Sequence, residues 1–149
     1  MKNIFKLIIA LVVCQLAGLI GSLFNMNSIP TWYTTINKPF FNPPNWVFAP
    51  VWTTLFVLMG ISLYLIWKNK LAVRFFIIQL ILNILWSALF FGLRSPLLAF
   101  IEIIVLWIFI LLTIIYSYKT SKTAAYLLIP YIAWVTFAAI LNFSIVLLN

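Results

Sequence analysis

The chain has no histidine and a single acid, Glu102, among its 149 residues. Those two shortages remove most conventional catalytic chemistry. Without an imidazole there is no Ser-His-Asp relay, and without a second carboxylate there is no acid–base pair of the kind that cleaves glycosides. The lone cysteine, Cys14, rules out an intramolecular disulfide, and with no histidine to join it a structural zinc site has no ligand set. Glycine is sparse too, four residues in all, and none opens a phosphate-binding loop. Charged residues make up 7% of the chain, whereas soluble domains carry roughly 25%.

What is present is apolar surface. Hydrophobic residues make up 66% of the chain and the mean hydropathy is +1.22. A chain of one-domain size cannot hide that much apolar surface from water, so its solvent is lipid. The apolar residues fall into five runs, 7–24, 47–67, 75–91, 97–118 and 124–148, each near the roughly 20 residues that one bilayer crossing takes. Runs this long and this uniform exclude the alternating strands of a barrel. The expected fold is therefore an all-α integral membrane protein, a bundle of five transmembrane helices forming one domain over 1–149. The connections 68–74, 92–96 and 119–123 are short enough to make consecutive helices antiparallel neighbours. The first run opens like a secretory signal, with Lys2 and Lys6. It outlasts the roughly 7–15 residues of such a segment and lacks a small-x-small cleavage site, so it reads as a retained helix.

The net charge of +8 sits mostly at the ends of the apolar runs. Lys2, Lys6, Lys68, Lys70, Arg74, Lys119 and Lys122 share the amino-terminal side, and only Lys38 and Arg94 lie opposite. By the positive-inside rule the amino terminus is cytoplasmic, and the first loop and the carboxyl terminus lie outside. Basic residues so placed anchor lipid headgroups, and with no basic face on a soluble module the pattern gives no nucleic-acid partner.

The long first loop, 25–45, carries Trp32, Tyr33, Phe40, Phe41 and four prolines, with Lys38 as its only charge. A loop this aromatic and this fixed by proline reads as a shaped cap over one end of the bundle. Beneath it, three runs carry residues at fourfold spacing: Phe48, Trp52, Phe56, Gly60 and Tyr64; Gln79, Asn83 and Ser87, flanked by Trp86 and Phe90; and Pro130, Trp134, Ala138 and Asn142. Residues four apart stack on one helix face. Polar side chains in lipid turn inward, either to tie helices together or to line a cavity. With two aromatic stripes and a capped end, a mostly apolar cavity is the better reading, suited to a flat aromatic ligand stacked on Trp52 and Trp134 and hydrogen-bonded to Asn83 or Ser87.

Two features stay open at this level. Glu102 lies about 9 Å into the fourth run, where it is either a functional intramembrane carboxylate or an interfacial partner of Arg94. In the first run, Cys14-x-x-x-Gly18 and Ala17-x-x-x-Gly21 permit close helix approach, which serves internal packing and oligomerisation equally.

The ordered set Trp32-Tyr33, Lys38-Pro39, Pro43-Pro44, Trp46, Val51-Trp52, Asn83-x-x-Trp86, Phe90-Phe91-Gly92, Pro130-Tyr131-x-x-Trp134 and Leu141-Asn142 resembles the bacterial branch of the translocator protein family. Its members are also called tryptophan-rich sensory proteins or peripheral-type benzodiazepine receptors, and the likeness covers nearly the whole chain. It implies a five-helix membrane protein, commonly a homodimer, in the bacterial cell membrane. Its first loop would close a pocket for porphyrins such as protoporphyrin IX and for drug-like aromatic ligands, with no resident cofactor or metal. Carried over by position, the ligand-binding set is Tyr33, Pro43, Phe48, Trp52, Phe56, Asn83, Ser87, Phe90, Trp134 and Ala138. Some bacterial relatives degrade porphyrin in light, which makes Trp52 and Trp134 the candidate catalytic residues. The sterol-recognition pattern of animal members, a tyrosine followed by a basic residue near the end of the fifth helix, is not reproduced. The tail from Leu141 has Phe143 and no lysine or arginine, which counts against high-affinity cholesterol binding. Three functions compete: a tetrapyrrole receptor or sensor, a light-dependent porphyrin-degrading enzyme, and a small proton-coupled exporter that uses Glu102.

Overall fold

The computed structural model describes residues 2–149. Helix α1 runs Lys2–Ser28 and continues through a π-helical turn, Ile29–Tyr33. The others are α2 (Asn45–Leu65), α3 (Lys70–Ser87, extended by a π-helical turn Ala88–Gly92), α4 (Pro96–Tyr118), α5 (Lys122–Leu127) and α6 (Ile129–Leu148). With α5 and α6 forming one crossing, five helical segments are long and apolar enough to span a bilayer.

Helix α1 outruns its apolar stretch because Asn25, Asn27 and Ser28 contain no helix breaker, and the wider π turn accommodates Pro30, which has no N–H to give. The Ser28 hydroxyl donates to the Phe91 carbonyl across the bundle, and Thr31 donates back to Asn27. The irregular part of the first connection is thus only 34–44, shorter than the 25–45 loop read from the hydropathy. The last crossing is broken at Leu128, two residues before Pro130. Proline cannot donate to the carbonyl four residues back, and the chain bridges the gap with a tighter turn from Leu128 N–H to Ala125 O. Side-chain caps from Asn69, Ser95 and Ser121 begin α3, α4 and α5.

Around the bundle the order is α2, α1, α3, α4, then the α5–α6 crossing, which closes back on α2 through α5. Helices α2 and α3, expected to be neighbours because their link is short, are instead parted by α1. Small residues explain the choice. A Cβ on Gly60 of α2 would fall 2.9 Å from the Leu11 Cα of α1, so the backbones are already in contact. Close packing of α2 on α1 leaves the far face of α2's amino-terminal half turned toward α6 across open space.

Candidate ligand-binding cavity

That space is a cavity of about 520 Å³. It lies at the end of the bundle carrying the 34–44 connection, between α1, α2, α3 and α6, with Ile103 and Leu106 of α4 at its base. The stripes converge on it. From α2 come Phe48, Trp52 and Phe56; from α3 and its π turn, Asn83, Ser87 and Phe90; from α6, Trp134 and Ala138; and from the α1 π turn, Tyr33. Of the ten positions singled out in the sequence, Pro43 alone does not reach the cavity. Ile29, Pro30 and Tyr33 of the π turn line the cavity at this end, and no residue of the 34–44 connection does.

The aromatic wall is interlocked. Trp52 lies 5.7 Å from Phe56 and 6.3 Å, edge-on, from Tyr131. Trp134 meets Phe48 at 6.2 Å and Phe137 at 5.4 Å. Trp86 stacks on Phe90 at 5.0 Å, and Tyr33 abuts Phe90 and Phe91. Such contacts hold ring planes in place, so the cavity is largely shaped before any ligand arrives.

The polar groups divide into those spent on the bundle and those left free. Asn83 Nδ2 donates to the Tyr131 hydroxyl at 2.8 Å, which donates to Gln79 Oε1 at 2.7 Å. Trp86 Nε1 donates to Asn142 Oδ1 at 3.0 Å, and Asn142 Nδ2 to the Pro96 carbonyl at 2.9 Å. The amides therefore do join helices, and Asn83, Trp86 and Asn142 line the cavity as well. The indole N–H groups of Trp52 and Trp134 and the Asn83 carbonyl make no hydrogen bond among the described residues. The Asn25 carbonyl, also at the wall, is buried without a donor. A mostly apolar chamber with a few unspent donors and acceptors selects a flat, largely apolar molecule carrying polar substituents.

Of the two readings of Glu102, the interfacial ion pair is not the one found among the described residues. Glu102 is 7% exposed, on the α4 face that packs into the bundle, and neither carboxylate oxygen has a hydrogen-bond partner, so the pairing with Arg94 is not made. It does not line the cavity either. Among the described residues no cluster of metal-ligating side chains occurs. The α1 wall, comprising Gly18, Gly21, Ser22 and Asn25, was not foreseen as part of the site. Its signal was the small-residue spacing, which is equally a packing signal: a Cβ on Gly18 would fall 2.8 Å from the Phe56 ring.

A sequence profile of the TspO/MBR family matches residues 10–148. The chain belongs to that family. It is 48% identical to the tryptophan-rich protein TspO of Archaeoglobus fulgidus, with 99% of each chain aligned. To the protein of the same name from Chlorobaculum tepidum it is 45% identical over 99% of this chain and 98% of that one. The translocator protein of Ovis aries is 38% identical over 85% of this chain and 79% of its own length. Membership together with five apolar helical spans makes this TspO/MBR protein an integral membrane protein.

Proposed function

We propose that the protein is a membrane receptor or sensor that holds a tetrapyrrole, protoporphyrin IX or a close relative, in the cavity at the capped end of the bundle. The observation that carries this reading is the convergence of Trp52 and Trp134 on one preformed chamber of about 520 Å³, within the roughly 300–1,000 Å³ of small-molecule sites. Two indole faces offer stacking to a flat macrocycle, and their free N–H groups and the Asn83 carbonyl offer hydrogen bonds to its polar periphery. The porphyrin is ligand, not resident cofactor, and the protein works as a homodimer in the bacterial cell membrane, with its amino terminus in the cytoplasm. The names of relatives, tryptophan-rich sensory protein and translocator protein, accord with a ligand-handling role.

Titrating purified protein in lipid nanodiscs with protoporphyrin IX in the dark, read by Soret shift and tryptophan quenching, tests this. Saturable one-to-one binding that weakens at least tenfold in Trp52→Ala supports it; partition into empty nanodiscs of the same size overturns it. Illuminating the same samples separates receptor from enzyme, since a degrading enzyme yields a new pigment faster than free porphyrin bleaches. The exporter reading gains nothing from the position of Glu102, which stands outside the cavity.

A further inference from the structure

The wall of the cavity is not equally closed on all sides. The lining residues of α3, its π turn, α4 and α6 are all buried or half-buried. Every exposed lining residue lies on the other two walls: Leu19, Met26 and Pro30 from α1 and its π turn, Asn45, Ala49 and Thr53 from α2. Leu19 is 62% exposed and Met26 67%. These positions mark a slot between α1 and the amino-terminal half of α2. From Asn45 to Thr53 it runs about 12 Å along the helix axis, less than half of the roughly 30 Å hydrocarbon layer. At its lower end Gln15 Nε2 donates to the Thr53 carbonyl at 3.3 Å and ties the two helices together. Below that the contact at Gly60 seals them.

The cap is built differently. None of residues 34–44 touches the cavity, and the segment is fastened at several points. Asn37 donates its backbone N–H to Asn149 Oδ1 at 3.0 Å and its side-chain amide to the Leu148 carbonyl at 3.2 Å. Asn149 Nδ2 returns a bond to the Asn37 carbonyl at 2.9 Å. Lys38 Nζ donates to the Tyr33 and Ile36 carbonyls, and the Tyr33 hydroxyl to Asn42 Oδ1 at 2.9 Å. Opening this end costs several hydrogen bonds at once, whereas along the slot the exposed lining residues are held across the two helices only by the Gln15 bond at its lower end.

We infer that the cavity is loaded sideways from the bilayer, through the slot between α1 and α2, while the 34–44 connection stays fastened as a fixed roof. The ligand class this admits is a lipid-partitioned, flat amphiphile: its apolar body travels in the acyl layer and its polar edge passes Ser22, Asn25 and Asn45 at the slot. The rate of loading then follows the ligand's concentration in the membrane.

Two measurements in liposomes test this. The first needs no tetrapyrrole. A nitroxide on Ala49→Cys in a Cys14→Ala background should collide with oxygen, which concentrates in lipid, far more than with a water-soluble nickel chelate. A label on Phe40→Cys should show the reverse. Chelate access at position 49 equal to that at position 40 overturns the inference. The second follows protoporphyrin IX by stopped flow and rests on the porphyrin reading above. Ala49→Trp, at the slot, should slow association and dissociation in step, by tenfold or more. Unfastening the roof with Asn37→Ala and Asn149→Ala together should leave both rates within twofold. A tenfold acceleration on unfastening, with no effect of Ala49→Trp, overturns the inference. If position 49 reports lipid but protoporphyrin IX does not bind, the sideways opening stands and the choice of ligand fails.

Discussion

Single side chains in this protein do two jobs. Asn83 belongs to the cavity wall and to a hydrogen-bonded chain with Tyr131 and Gln79 that crosses from α3 to α6. Tyr131 is fully buried, so Tyr131→Phe strands an amide on each side. We expect a loss of about 1–3 kcal/mol, seen as a fall in thermal midpoint in detergent; an unchanged midpoint would show that the amides find other partners. Trp134 separates binding from chemistry. Trp134→Phe keeps most of the stacking surface and removes the free N–H and the more readily oxidised ring. Porphyrin affinity should weaken by about 0.5–1.5 kcal/mol, the scale of one aromatic contact, while light-driven turnover, if the protein has any, should fall much further. Turnover persisting at the wild-type rate would make Trp134 a wall and nothing more. Glu102 shows what residue identity leaves open: an acid near a helix end can pair with a nearby arginine or turn into the bundle, and α4 turns it inward, with no hydrogen-bond partner among the described residues.

At the scale of helices, contact between α1 and α2 sets the shape of the cavity. Gly60 sits against Leu11, where an added Cβ would come 2.8 Å from Leu11 Cδ2 and 2.9 Å from its Cα. Backbone cannot step aside as a side chain can, so Gly60→Ala should cost about 1–3 kcal/mol and splay the two helices. Gly18→Ala meets the Phe56 ring first, which can turn, so it should cost less stability and instead disturb the cavity wall. Thermal unfolding of the two variants side by side checks the order; a Gly18 variant less stable than the Gly60 one would contradict the packing argument. The proline breaks act on the same scale. Pro130 interrupts the last crossing at Leu128, below Trp134, and so lets α6 set its own angle against α4 while α5 closes on α2.

For the molecule as a whole, charge asymmetry predicts orientation. Seven of the nine basic residues lie on the amino-terminal side, and cationic loops stay in the cytoplasm. With Cys14 replaced by alanine, a cysteine at Phe40 should react with a membrane-impermeant maleimide in intact cells, and one at Thr120 only after permeabilisation. The opposite pattern would invert the proposed topology and put the cavity at the cytoplasmic leaflet.

The number of crossings, the solvent they live in and most of the inward stripe of the second, third and fifth runs are local matters, legible in run length and fourfold spacing. A helix in lipid must satisfy its own backbone, so its length and stripe are written in consecutive residues. For that reason Phe48, Trp52, Phe56, Asn83, Ser87, Phe90, Trp134 and Ala138 were legible as one set, and all of them line the cavity. Neighbour order was not legible. Short links alone paired α2 with α3, whereas α1 stands between them, because contact at Gly60 depends on which surfaces fit and no single run contains that information. The α1 wall, the inward turn of Glu102 and the absence of Pro43 from the cavity wall follow from the same cause. Each depends on the rotation and spacing of helices against one another, and those arise only when all five crossings pack together.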